Sequence, residues 1–346
     1  MIKKIFIIFG AILLFLLVGL SIYIFTSAPQ LPPEADEIIS QVLNSELPEV
    51  IKGETGYAES GGVKIWYESI KPDDSAKAVV LLIMGIANDA LAWPDYFIQP
   101  LVDSGFQVVR YDHRGTGMSD WIDNWHRANP YTLDDMARDG IAIMDAIGAQ
   151  KIHIIGVSLG GMIAQHIAIY NPERVSTLTS IMSSGYIEDP ELPGISIDVI
   201  RKLLVTNVKY GLFKSERNTI KLHIACRLLL MGDSIYSLDI QHIAEHVLYN
   251  LRTRKGYNPR VSPQHIAATS ASGSRYEKLP EINLPTLIIH GKSDPLIPFV
   301  HGEKLASLIP DADTLWIEGM GHDIPQIYVD TILLKIISDF HSPGLQ

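Results

Sequence analysis

The sequence has a single cysteine, Cys226, so it can form no internal disulfide and no cysteine-rich metal site. A lone thiol in a helical stretch reads as a small buried apolar residue rather than a nucleophile. Basic charge is also in short supply: 28 Lys and Arg stand against 39 Asp and Glu, a formal net charge of −11. No basic stripe occurs anywhere in the chain, which argues against a nucleic-acid partner. There is no G-x-G-x-x-G and no Walker loop, so no nucleotide cofactor is implied. His242 and His246 are an i,i+4 pair, yet no Glu follows His242 as H-E-x-x-H requires, and no metal is assigned. Internal repeats and low-complexity tracts are missing as well.

What is present is an ordinary globular composition, 47% hydrophobic, 19% charged and 8% aromatic, in 346 residues. That length holds one large domain, or a core domain with an inserted lobe. Ile5 to Phe25 is an uncharged, nearly all-apolar run preceded by Lys3 and Lys4. A helix needs about 20 such residues to cross the hydrocarbon core, which predicts a transmembrane anchor over 1–26. A cleavable signal is the competing reading, with Thr26-Ser27-Ala28 as small residues, but its apolar region is usually shorter and Pro29 would hinder cleavage. Lys3 and Lys4 on one flank, and Glu34, Asp36, Glu37, Glu46 and Glu49 on the other, predict a cytoplasmic N-terminus. The rest of the chain would then face outward, periplasmic or extracellular. Residues 27–53 are proline-rich and read as a stalk with one short helix around Ala35–Leu43.

From Glu54 onward, short β-rich runs alternate with helical stretches, the pattern of an α/β fold with a mostly parallel central sheet flanked by helices. Gly56–Glu59 and Val63–Ser69 form a hairpin across Ser60-Gly61-Gly62. Ala78–Ile83, Val108–Tyr111, Lys151–Val157, Val175–Met182, Pro285–His290 and Thr314–Ile317 are the remaining strands, several of them continuously apolar as buried strands are. Thr132 to Asp135 reads as a capping box that opens a helix running to about Ile147. Val329–Phe340 closes the chain as a helix. Residues 184–278 break the alternation with helical spacing alone, and read as a helical cap inserted between core segments 54–183 and 279–346.

Gly156-Val157-Ser158-Leu159-Gly160 matches G-x-S-x-G at a strand-to-helix junction. Such an elbow forces its serine into a strained backbone, so the residues two positions away must be glycine. Ser158 is therefore the candidate nucleophile, with a helix N-terminus beneath it to favour developing negative charge. A serine needs a base, and the base needs an orienting carboxylate. Asp294 follows one late strand and His322 follows the next, in the chain order that elbow hydrolases use. Asp323 adjoins the histidine with poor geometry for the role, and Asp233 and Asp239 lie in the cap, too far away. Two backbone N–H groups should form the oxyanion hole: Leu159, next to the nucleophile, and Ile86, in the loop Met84–Asn88. Trp93, Trp121, Trp125 and Tyr186 could line an apolar pocket, or be plain core and cap contacts.

From about Gly56 to Phe340 the layout resembles the α/β-hydrolase superfamily. Leu82-Ile83-Met84-Gly85, Ala92-Trp93-Pro94, and Val109 through Asp112-His113-Arg114-Gly115-Thr116-Gly117 to Ser119 resemble the aclacinomycin methylesterase-like hydrolases. The resemblance implies a carboxylester hydrolase without a cofactor. Met84 stands where most members carry a histidine, which leaves the backbone donors of that loop in place. The Asp112–Ser119 stretch reads as a structural loop at the sheet edge. The expected function is hydrolysis of a small, apolar ester through an acyl-enzyme at Ser158. The same triad could cleave a thioester, amide, lactone or C–C bond, and a surface sensor or adhesion module is the reading from another class.

Overall fold

The computed structural model describes residues 2–233 and 236–340. Its centre is one eight-stranded sheet of β1 (Glu54–Ser60), β2 (Val63–Ile70), β3 (Val79–Ile83), β4 (Gln107–Tyr111), β5 (Ile152–Val157), β6 (Val175–Ile181), β7 (Thr286–Gly291) and β8 (Asp313–Ile317). The spatial order is β1-β2-β4-β3-β5-β6-β7-β8. β1 and β2 pair antiparallel, as do β2 and β4, and every later pairing is parallel.

Successive strand residues point to opposite faces, and the parallel strands are apolar on both. Leu81, Ile83, Ile152 and Ile154 pack on one face with α4 (Leu133–Ala146) and α5 (Leu159–Tyr170). Val80, Leu82, Ile155 and Val157 pack on the other with α3 (Asp95–Asp103) and α11 (Gln326–Phe340). α10 (Val300–Leu308) lies beside β7. The capping box forms: Thr132 Oγ1 accepts from the Asp135 N–H, and the Asp135 carboxylate accepts from the Thr132 N–H at 2.7 Å.

Among the described residues, four α-helices run between β6 and β7, α6 (Ile197–Gly211), α7 (Glu216–Leu230), α8 (Ile240–Thr253) and α9 (Val261–Ser272). The segment expected as a stalk carries α2 (Ala35–Asn44), whose Ala35, Ile39 and Val42 are buried with Ile220, Ile224, Ile243 and Val247 of α7 and α8. One edge of the sheet is tied to this region by a buried ion pair. Arg110 Nε donates to Glu68 Oε2 at 2.7 Å, with both side chains fully buried. Arg110 also donates to the carbonyls of Val50 and Trp93, and Glu68 Oε1 accepts from the Lys52 and Gly53 N–H groups. A pair this deeply desolvated is tolerated because its remaining donors and acceptors are satisfied.

The expected membrane span and outward-facing localisation are overturned. Among the described residues no helix is long and apolar enough to cross a membrane. The segment forms α1 (Ile2–Ser27), and its C-terminal turns are docked on α6. Arg201 donates to the Tyr23 hydroxyl at 2.8 Å, Lys209 donates to the Phe25 carbonyl at 3.4 Å, and the Tyr210 hydroxyl reaches the Pro29 carbonyl. The last turn of α1 thus meets polar and cationic side chains of α6 on one side, while Phe25 stays exposed on the other. The side chains of Lys3 and Lys4, on which the orientation rested, lie outside the described residues.

Three buried histidines are held neutral, chiefly by desolvation. Burial pulls His113 down to about 4, and pulls His166 and His265 down to about 3. A free histidine titrates near 6.5, so below about that pH the unfolded chain binds protons that the folded chain refuses. Their effect on stability is absent well above pH 6.5 and grows more unfavourable as pH falls toward the folded values. Between pH 6 and pH 5 the protein should lose about 1 kcal/mol for each of these histidines. Thermal unfolding in matched buffers should show a lower Tm at pH 5, and an unchanged Tm would mean that these histidines are protonated in the native state.

Candidate active site

Ser158 sits between the end of β5 and the first residue of α5 at φ 56°, ψ −118°, a left-handed conformation for a residue with a side chain. Its N–H donates to the Ile181 carbonyl at 2.8 Å, and its own carbonyl accepts from Ser183 Oγ at 2.8 Å. The two flanking glycines are required by packing. A Cβ on Gly160 would run into the carbonyl oxygens of Ile83 and Met84, and one on Gly156 into the Gly160 carbonyl. Strand, turn and helix here pack backbone against backbone, leaving no room for a methyl group.

The loop after β3 closes over the serine. A Cβ on Gly85 would lie 3.3 Å from Ser158 Cβ and 3.8 Å from its Oγ. Asn88 N–H donates to the Gly85 carbonyl at 3.3 Å, so Gly85–Asn88 is a turn with Ile86 and Ala87 in the middle. Ala87 adopts φ 59°. Among the described residues, neither the Ile86 N–H nor the Leu159 N–H donates to another protein group. Leu159 is the first residue of α5, where helical N–H groups have no partner of their own and the helix dipole is positive.

Asp294 lies in the loop after β7, and His322 in the loop after β8. His322 Nδ1 is 2.7 Å from Asp294 Oδ2. A carboxylate only accepts, so Nδ1 carries the proton and the lone pair is left on Nε2. Asp294 Oδ1 accepts from the N–H groups of Leu296 and Ile297 at 2.8 and 2.9 Å. Burial pushes this carboxyl up, but His322 and His290 oppose it more strongly and hold it well below the usual carboxylate range. All five residues expected from the sequence therefore follow the C-terminal ends of β3, β5, β7 and β8. These strands are parallel, so the residues share one sheet edge.

Other carboxylates are occupied elsewhere. Asp323 pairs with Arg227 at 3.2 Å and accepts from the Tyr236 hydroxyl at 3.3 Å. Asp239 caps α8 by accepting the His242 N–H. Asp233 is closer than its place in the cap suggests, since it accepts from Ser293 Oγ at 2.6 Å, one residue from Asp294. The cause is a stretch of main chain at the end of α7 that pairs with the histidine loop. His322 N–H donates to the Leu230 carbonyl at 2.7 Å, Gly321 N–H to Met231, and Asp233 N–H to Gly319.

Three histidines escaped the sequence reading. His290 Nε2 donates to the Ile297 carbonyl at 2.9 Å and lies 3.4 Å from Asp294 Oδ2. His113 Nε2 donates to the Met84 carbonyl at 2.8 Å, and His265 Nδ1 accepts the Ala87 N–H at 3.1 Å. His113 was visible as part of the Asp112–Ser119 motif, and His290 as the start of the loop that carries Asp294. His265 has no local signal, because its partner is 178 residues away.

The suggested pocket aromatics do not converge. Trp93 is buried against Phe97, and Trp121 donates to the Gly117 carbonyl. Tyr186 packs edge-on to Tyr276. Trp125 lines a cavity of about 360 Å³ with Arg114 and Tyr131, a cavity that none of Ser158, Asp294 and His322 lines. Cys226 is half-buried, and desolvation pushes its thiol up to about 11. The His242 and His246 rings lie 3.9 Å apart, tilted by 40°, and His246 Nδ1 donates to the Leu91 carbonyl. Among the described residues no group of three or more side chains is arranged to hold a metal.

Residues 78–325 match the alpha/beta hydrolase fold family. The rhodomycin D methylesterase DnrP of Streptomyces peucetius is 30% identical over 276 residues, which cover 76% of this chain and 90% of that protein. A putative carbamate hydrolase, RutD of Caulobacter segnis, is 28% identical over 254 residues, covering 72% and 85%. Among solved structures, the esterase EaEST of Exiguobacterium antarcticum superposes with a TM-score of 0.64 at 20% identity, covering 84% of this chain and all of that one. The meta-cleavage product hydrolase CumD of Pseudomonas fluorescens IP01 superposes with a TM-score of 0.61 at 22% identity, covering 85% and 98%. At those identities the two structures speak for the fold alone. The chain belongs to the alpha/beta hydrolase fold family and is an enzyme of the esterase type.

Proposed function

We propose that the protein hydrolyses a carboxylic ester through an acyl-enzyme formed on Ser158. The observation that carries this reading is the strained Ser158 backbone at φ 56° on the same sheet edge as a buried His322–Asp294 hydrogen bond of 2.7 Å. Strain of this kind costs about 1–3 kcal/mol, persists only where the surrounding structure over-determines it, and clusters at active sites.

Each step then has a residue. Ser158 Oγ attacks the ester carbonyl carbon while its proton passes to His322 Nε2. Asp294 keeps His322 in the Nδ1–H tautomer and stabilises the imidazolium that forms. The Ile86 and Leu159 N–H groups hold the developing oxyanion. The tetrahedral intermediate collapses, the C–O bond to the alcohol breaks, and the alcohol leaves with the proton from His322. Water, deprotonated by the same His322, then attacks the acyl-enzyme; the C–O bond to Ser158 breaks, Oγ takes the proton back from His322, and the acid leaves. Relatives named as methylesterases favour a small alcohol as the leaving group. Thioesters, amides, lactones and C–C bonds present the same carbonyl to the same serine, and a panel of such substrates ranks them against activated esters.

Ser158→Ala should fold normally yet lose labelling by a fluorophosphonate and lower turnover of p-nitrophenyl esters by several orders of magnitude. Retention of most activity would remove Ser158 from the mechanism.

The carboxylates provide a second check. Asp294→Asn should leave KM near its original value but reduce kcat by about 10⁴-fold, because the amide favours the wrong tautomer of His322. Asp323→Asn breaks an ion pair with Arg227 and should reduce kcat far less. Steady-state kinetics on one activated ester decide between them, and the reverse ranking would place the orienting acid at Asp323.

A further inference from the structure

We infer that His265 is a positioning residue for the oxyanion hole, fixing the Gly85–Asn88 turn so that its backbone donor stays registered on Ser158. The inference rests on the acyl-enzyme reading above and adds a residue from the inserted helices to it.

The turn needs an external restraint. Ala87 occupies its third position with φ 59°, where a type II turn takes glycine or asparagine because a Cβ is strained there. A turn held in a sparsely populated conformation relaxes unless its surroundings over-determine it. Three side chains supply that restraint. His113 Nε2 donates to the Met84 carbonyl at one end, and Asp112 Oδ1 accepts the Ala90 N–H at 2.9 Å at the other. In the middle, Asn88 Nδ2 donates to the Ile86 carbonyl at 3.0 Å from within the turn, and His265 grips it from outside, accepting the N–H of the strained Ala87 itself.

The imidazole of His265 is suited to this task in one protonation state only. An amide N–H can only donate, so Nδ1 must carry a lone pair. Nε2 faces the Arg114 carbonyl at 3.1 Å, which can only accept, so Nε2 must carry the proton. The neutral Nε2–H tautomer thus bridges the oxyanion turn to the loop that follows β4. The ring is fully buried and meets His113 edge-on at 5.5 Å, so bulk solvent does not reach either bond. Its helix is held just as firmly. Val261 packs where a Cβ on Gly115 would touch it at 2.9 Å, and Gln264 Nε2 donates to the Ile122 carbonyl at 3.1 Å.

The consequence for chemistry follows from clearance. Gly85 is already so close to Ser158 that a Cβ on it would sit 3.3 Å from the serine Cβ. Small rotations of the turn therefore change the distance between the Ile86 N–H and the carbonyl oxygen under attack. His265 touches neither substrate nor nucleophile, and its effect runs through Ala87.

The test compares His265→Phe, which fills the ring volume but accepts nothing, with His265→Asn, whose side-chain oxygen can take the place of Nδ1. Full-length protein is assayed for kcat and KM on a p-nitrophenyl ester. The number of active sites is counted by the end point of fluorophosphonate labelling, and the Tm is recorded. Losing one oxyanion donor outright costs about 10²–10³-fold in kcat, so misaiming it should cost about 10–100-fold. The expected result is that H265F loses kcat by that factor, with KM within about threefold and an undiminished count of active sites, while H265N recovers most of the rate. Equal losses in both variants, or a loss that follows the count of active sites, would reduce His265 to a packing residue. If H265F does not fold, H265L provides the acceptor-free comparison. A parent enzyme that fluorophosphonate fails to label at Ser158 would sink the acyl-enzyme reading itself. A labelled parent with an unimpaired acceptor-free variant sinks the positioning role alone.

Discussion

The rest of the structure is arranged around one backbone constraint, the left-handed turn at Ser158. The turn exists only because Gly156 and Gly160 let strand, loop and helix touch through their main chains. That contact draws β3 and its following loop against the start of α5, so the same glycine that permits the elbow also sets how far Gly85 stands from Ser158. The strain is of the order of 1–3 kcal/mol, small beside the burial of the apolar faces of β3, β5 and β6 between two helical layers. A rigid, fully covered sheet is what keeps the serine from relaxing to an ordinary turn.

Buried polar groups extend this constraint outward. Asp294 is surrounded by two backbone N–H groups and two histidines, so its charge is compensated on every side although the side chain is fully buried. Glu68 and Arg110 do the same for the antiparallel edge of the sheet. In both cases the low dielectric that makes an unpaired group expensive also makes the completed network stiff. His113 and His265 complete the pattern as neutral hydrogen-bonding groups at the start and the middle of the Met84–Asn88 loop.

How much of this could be read in the sequence depended on how local each signal was. The strands, the hairpin at Ser60-Gly61-Gly62, the capping box at Thr132 and the elbow at Ser158 are written in neighbouring residues, and each lies within a residue or two of its expected position. The placement of Asp294 and His322 was legible because each follows an apolar strand, and parallel strands carry such loops to one edge. The pairing of Leu230–Asp233 with the histidine loop was not legible, because main-chain hydrogen bonds leave no side-chain signature. For the same reason the contact of Asp233 with Ser293 could not be read in the sequence. His265 was hidden by sequence distance. The apolar run at the N-terminus misled because hydropathy reports how oily a segment is and says nothing of the Arg201 and Lys209 contacts that tie down its end.

The seam between Leu230–Asp233 and Gly319–His322 has a meaning for how this enzyme could diversify. Inserted lobes of this sort are natural places for change, since they can be lengthened or rebuilt without disturbing the sheet. Among the described residues, three main-chain bonds join this helical segment to the histidine loop, and Asp233 and Ser293 join it to the neighbouring Asp294 loop. Any altered lobe must therefore preserve four consecutive residues at the end of α7, among them Gly232 at φ 75°, where a Cβ would strike the Gly319 and Gly321 backbone, and Asp233, or the imidazole loses its footing. Selection for a new lobe and selection for an intact His322–Asp294 pair meet on that short strip of backbone. Exchanges of the whole lobe between relatives would be viable only with the cut made outside it.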